Sequence, residues 1–164
     1  MTTEALDRFA ACARRYCAWV ESPVGEPRDD LTAAHGFLAE LYALAIRLRD
    51  QPRKPPESNV RIALDDATRD RAARRFHALP LQRYGRVLAP CTPPPHHADV
   101  GSLPDDLFDT YRDMKMGLQY YEAGDFASAQ WEWRFAWCMG WGTHAPSALS
   151  AIHFYRLSME YREG

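Results

Sequence analysis

The chain has 164 residues, of which 46% are hydrophobic and 26% charged, and a formal net charge of −2. This is the balance of a globular protein long enough for one core, and it excludes a disordered or membrane-embedded chain. A charge so near zero gives no overall attraction for nucleic acid or an anionic membrane, and nucleic acid is not an expected partner.

Every apolar stretch is broken by charge well before the roughly 18–20 residues of a membrane span. No basic-then-apolar leader opens the sequence, so a cytoplasmic location is expected. Cys12, Cys17, Cys91 and Cys138 form no CxxC pair and sit in helical or proline-rich text. Reduced, buried thiols are expected rather than a disulfide framework or a zinc site.

Residues 3–21 place Leu6, Phe9, Ala13, Tyr16, Cys17 and Val20 on one face of a helix, which Pro23 stops. Asp29 is a candidate cap for a second helix with the stripe Leu31, Ala34, Leu38, Leu41, Ala45 and Leu48. The short Pro23–Pro27 turn suits an antiparallel hairpin of the two. Residues 51–64 read as a connector, within which Val60, Ile62 and Leu64 alternate as if extended, with no evident partner strand.

A third helix is predicted over 65–78, broken near Pro80 and resumed through Tyr84 and Val87 as a short segment before Pro90. The arginines between Arg69 and Arg86 are offset by Asp65, Asp66 and Asp70 and read as a solvated helix face. Residues 90–101 read as loop, because Pro90, Pro93, Pro94 and Pro95 remove backbone donors and fix φ. His96 and His97 on that tether read as surface histidines, since neighbours in an extended chain point apart.

Ser102 and Asp105 resemble a capping box for a fourth helix running to Tyr121, with Gly124 at its end and the stripe Leu107, Tyr111, Met114, Leu118 and Tyr121. A fifth helix over 125–140 and a sixth from Thr143 to Tyr161 follow, the latter tolerating Pro146 in its first turn. The predicted fold class is therefore all-α, a single-domain bundle of about six helices over residues 1–164 with a proline-rich loop before the fourth.

The fifth helix carries two aromatic stripes, Trp131 with Phe135 and Cys138, and Trp133 with Trp137 and Trp141, plus a small-residue sector at Ala129, Ala136 and Gly140. A helix apolar on nearly every side is expected at the centre of a bundle. Glu132 and Arg134 lie within this text, and a buried charge needs a partner. Asp106, Asp109 and Asp113 supply an acidic strip on the fourth helix, with which Arg134 is expected to pair.

The functional alternative is that Asp109, Asp113, Glu132, Arg134 and His144 converge as acid, base or ligand groups in an acidic cleft between helices four, five and six. The paired Glu-x-x-His motifs of di-iron bundles are absent, and His144 and His153 point to nearly opposite sides of one helix, so no metal or cofactor is expected. His153 reads as a hydrogen-bonded histidine at the core edge. Phe154, Leu157 and Tyr161 form a separate face that, if exposed, suits a homodimer or a protein partner.

The strings DDLFDTYRDMKMGLQYYEAG (105–124) and WEWRFAWCMGWGTHAPSALSAIH (131–153) resemble the bacterial family called domain of unknown function 5063. The helix containing Leu41 and Tyr42 and the segment 84–90 resemble it more loosely. The resemblance implies a compact all-helical domain and carries motif positions, among them Asp105, Asp106, Asp109, Arg112, Asp113, Trp131, Glu132, Trp133, Arg134, Trp141, Gly142 and His144. It brings no activity, substrate or cofactor. Gly140 stands where the family often has a histidine before Trp-Gly, which argues against a histidine pair binding metal there. The expected role is a small helical interaction module; whether the chain is an enzyme is left open.

Overall fold

A computed structural model describes residues 4–48, 64–87, 91 and 98–163. The described chain is all-α with one small ribbon: α1 (Glu4–Glu21), α2 (Pro27–Ala45), α3 (Asp66–His77), β1 (Arg83–Val87), β2 (Ala98–Ser102), α4 (Leu103–Glu122), α5 (Phe126–Met139) and α6 (Trp141–Glu163). The alternating residues Val60 and Ile62 and the pair His96 and His97 lie outside the described residues.

Helix starts follow local chemistry. Asp65 caps α3 by accepting from Thr68 N–H at 2.7 Å, Ser102 caps α4 from Asp105 N–H at 3.4 Å, and Asp125 caps α5 from Ser128 N–H at 3.1 Å. For α2 the expected Asp29 cap is replaced: Glu26 is the capping position, it makes no side-chain cap, and Pro27 opens the helix. Proline needs no partner for the N–H it lacks. Gly124, at φ +81°, supplies the left-handed residue after α4 that a side chain would strain.

The α1–α2 pair is antiparallel, since Arg15 meets Glu40 at 2.7 Å while Trp19, further along α1, packs on the earlier Phe37 at 5.5 Å between ring centroids. Asp30 closes the turn. Its carboxylate accepts from Trp19 Nε1 at 3.1 Å and Gly25 N–H at 3.1 Å, and it forms an ion pair with Arg75 of α3. Arg75 is only 1% exposed, donates also to the Ser22 and Pro23 carbonyls, and lies over the Trp19 ring at 4.9 Å. The solvated-face reading therefore fails at Arg75, because three elements surround its guanidinium with acceptors and an aromatic face.

The segment expected to resume as helix after Pro80 is instead β1, and the end of the expected 90–101 loop is β2. The two pair antiparallel from Arg83↔Ser102 to Val87↔Ala98. Gly101 makes this possible: a Cβ there would stand 2.4 Å from Tyr84 Cζ, so the phenol ring lies across the glycine of the opposite strand.

The central helix is α4 rather than α5. It packs against α1, α3, α5, α6 and β2. One side of α5 enters the core through Ala129, Trp133 and Ala136, while Phe135 is 50% and Met139 70% exposed. Trp131 and Phe135 stack on each other at 5.0 Å and 7° on that outer side. On the facing helix, Gly117 of α4 receives the Trp133 indole. Of the cysteines, Cys12 and Cys17 are buried as expected and Cys91 and Cys138 are exposed, the latter because it shares the outward side of α5.

Candidate functional site

The alternation of β1 turns Tyr84 and Arg86 to the same face, opposite Gly101 and Asp99 of β2. That face meets the first turns of α4 and α6. The Tyr84 hydroxyl donates to Asp106 Oδ2. Arg86 donates through Nη2 and Nε to Asp99 Oδ2 at 2.8 and 3.2 Å, and its Nη1 lies 3.2 Å from His144 Nδ1. Asp106 Oδ1 stands 3.8 Å from the same His144 nitrogen. Five side chains from four elements thus form one chain of polar contacts.

Asp106 is buried, and loss of hydration pushes its carboxyl above the ordinary range although Tyr84, His144 and Arg86 each pull it down. Burial and the Asp106 hydrogen bond hold the Tyr84 phenol well above its usual value. His144 is anchored through Nδ1, and its Nε2 has no hydrogen bond among the described residues. The arrangement can hold a proton between Asp106 and Tyr84 and present one imidazole nitrogen outward.

A second acidic group lies one to two turns along α4. Asp113 Oδ2 accepts from Trp141 N–H at 3.4 Å and approaches Gly140 so closely that a Cβ there would stand 2.7 Å away. A guanidinium on this strip is that of Arg112, 3.0 Å from Asp109 and 3.5 Å from Asp113. Asp109 and Arg112 are three residues apart on α4, the spacing at which helix side chains meet. Burial pushes the Asp113 carboxyl up against the opposing Arg112 charge, and burial followed by the Asp113 charge pushes Glu132 up.

Of the expected site residues, Asp109, Asp113 and Glu132 therefore act on one another, and Arg134 lies half-buried on α5. His144 belongs with Asp106 and the hairpin. Among the described residues, no group of three or more His, Cys, Asp or Glu side chains is placed to hold a metal ion. His153 is exposed, its ring 6.4 Å from that of His35, and not the expected core-edge group.

Tyr84, Arg86 and Asp99 were not evident as site residues from the sequence. The alternation Tyr84-Gly85-Arg86-Val87 and the glycine facing Tyr84 are the signals that carry them. Between β1 and α6 lies an open cleft of about 740 Å³, walled by Leu81, Val87, Ala151 and Phe154, with Ser147 and Ser150 on the α6 side. No helix among the described residues is long and apolar enough to cross a membrane.

No curated protein and no solved structure is similar enough to the chain to be matched. Over residues 1–158 the chain matches the family described as Domain of unknown function (DUF5063), and it belongs to that family.

Proposed function

We propose that this chain is a small protein-interaction module of the bacterial cytoplasm, which docks on a second copy of itself or on another protein through the outer face of α6. The observation that carries the reading is the exposure of Phe154 and Tyr161, 66% and 85%, on a helix whose opposite side fills the core with Trp141, Ala145, Ala148 and Ile152. Leu157 lies half-buried between them in sequence. Large apolar groups kept in water on a folded domain mark contact surfaces. Four cysteines free of disulfides suit a reducing compartment.

Sedimentation of the protein and of Phe154→Glu over a wide concentration range tests the self-docking form. An association that the variant weakens supports it. A strictly monomeric wild-type protein at high micromolar concentration removes self-docking and leaves a different protein as the partner.

The second reading is an enzyme or ligand-binding domain using the acidic residues between α4, α5 and α6. It is favoured by one observation, the paired upward shift of the Asp113 and Glu132 carboxyls, since shifted carboxyls gather at functional sites. Elemental analysis of the purified protein and a ligand-dependent rise in melting temperature test it. A metal-free protein whose melting no ligand shifts contradicts it.

A further inference from the structure

We infer that the partner's bound segment is an extended peptide that adds as a third strand to the edge of β1 that faces away from β2, inside the cleft between β1 and α6. This rests on the reading of α6 as a contact surface and names what lies against it.

The phase of the ribbon ladder gives the first argument. Leu103 N–H donates to the Gln82 carbonyl at 2.9 Å, which makes Gln82 and Leu103 a hydrogen-bonded pair. Such pairs alternate along an antiparallel ladder, so the next are Tyr84↔Gly101 and Arg86↔Asp99. The N–H and C=O groups of Arg83, Gly85 and Val87 therefore point away from β2. None of them has a hydrogen-bond partner among the described residues. An extended backbone offers donors and acceptors at the repeat of this edge, in place of the water that otherwise meets them.

The cleft lies along that edge. Gly85 and Val87 line it and no residue of β2 does. Gly85 has no side chain, so it lines the cleft with backbone, and a Cβ built there meets nothing within 4 Å. A five-residue strand is about 17 Å long. The cleft beside it has a volume of about 740 Å³.

Charge narrows the occupant. Arg86 is already engaged by Asp99 and His144. Arg83 is exposed and has no carboxylate partner among the described residues. The opposite wall, on α6, offers Ala151 and Phe154 together with Ser147 and Ser150, and Leu81 adds an apolar group just before β1. The matching peptide has apolar residues at alternate positions and a carboxylate beside Arg83.

The probe is a displayed library of unstructured decapeptides with alternating apolar positions and one acidic position. Enriched peptides are then made synthetically and titrated into isotope-labelled protein. The inference expects amide shifts centred on Arg83, Gly85 and Val87. It also expects an affinity loss of about tenfold or more in Gly85→Pro, equal to at least about 1.4 kcal/mol, and retained binding in Gly85→Ala.

Proline at position 85 removes the outward N–H and none of the donors of the ladder to β2. Ser150→Trp fills the cleft from α6 without touching β1 and is expected to lose binding as well. Absence of enriched peptides overturns the inference, as do peptides that bind Gly85→Pro and Ser150→Trp like wild type. Self-association abolished by Gly85→Pro, with no peptide able to compete, assigns the edge to a second copy and also overturns it. If Phe154→Glu abolishes docking while Gly85→Pro leaves it intact, the α6 reading stands and the peptide inference alone falls.

Discussion

The Trp133 indole nitrogen lies 2.1 Å from where a Cβ on Gly117 would stand, and it donates to the Met114 carbonyl at 3.3 Å. This contact joins α5 to α4 at a point where neither side has room. Gly117→Ala gains helix propensity but must displace a fully buried ring, and a net loss of about 1–3 kcal/mol is expected. Trp133→Ala is expected to cost about 3–5 kcal/mol. In the Trp133→Ala background the alanine at 117 should become neutral or stabilising, because the obstacle is gone. Urea unfolding of the four proteins in this cycle checks the prediction through midpoints at constant slope.

The Arg75–Asp30 pair should behave as a buried staple between α3 and the α1–α2 turn. Asp30→Ala strands a guanidinium that is 1% exposed and is expected to cost about 3–5 kcal/mol. The Arg15–Glu40 pair, with side chains 59% and 41% exposed, is expected to contribute under about 1 kcal/mol and to lose most of it in high salt. Thermal melts of Asp30→Ala and Glu40→Gln at low and high salt separate the two. A strongly salt-dependent effect at Asp30 would contradict its burial.

Glu132 and Asp113 predict a defined pH dependence. Burial raises both carboxyls, and the folded state therefore favours their protonated forms. Each contributes favourably below the ordinary carboxylate range, and that contribution is lost as the pH rises through the raised folded value. At pH 7 the charged forms oppose folding. Glu132→Gln is expected to raise the melting temperature at pH 7, and the gain should vanish by about pH 3–4, where the wild-type group is also neutral. A rise of up to a few degrees is the expected size, since about 1 kcal/mol corresponds to about 2–4 °C in a chain of this length. A lower melting temperature at pH 7 would reverse the assigned sign.

Asp106 should act through the hairpin rather than through α4 alone. Asp106→Asn keeps the shape but replaces the carboxylate that receives the Tyr84 hydroxyl and faces His144. Amide exchange is expected to speed up across β1 and β2 and to change little in α1 and α2. Exchange unaltered in the ribbon would show that the Tyr84 contact does not hold it against α4.

The helices were legible because their signals are local. Asp65, Ser102 and Asp125 stand one residue ahead of their helices, and each caps as its chemistry dictates. The ribbon was not, because its pairing joins residues on either side of a proline-rich stretch and two of its ten positions are glycine. Gly101 reads as loop until Tyr84 is placed across it. The Trp-rich segment of α5 looked apolar on all sides, yet periodicity cannot show that Trp131 and Phe135 cover each other in water.

At the candidate site the acidic strip was readable from its three-and-four spacing. Arg112, which lies on the strip itself, was not singled out as its partner because its two contacts are local to α4 and leave no mark in the apolar periodicity. His144 was readable as a polar group at the start of α6. Its neighbours Tyr84 and Arg86 were hidden in a segment read as helix.

Photo-cross-linking from α6 tests the proposed role most directly. Phe154→benzoylphenylalanine and Tyr161→benzoylphenylalanine are expected to give one discrete adduct in cells, to a second copy or to a single partner, while the same probe at exposed Arg14 on α1 gives none. Adducts of equal yield at all three positions, or adducts only at Arg14, would contradict a docking face on α6.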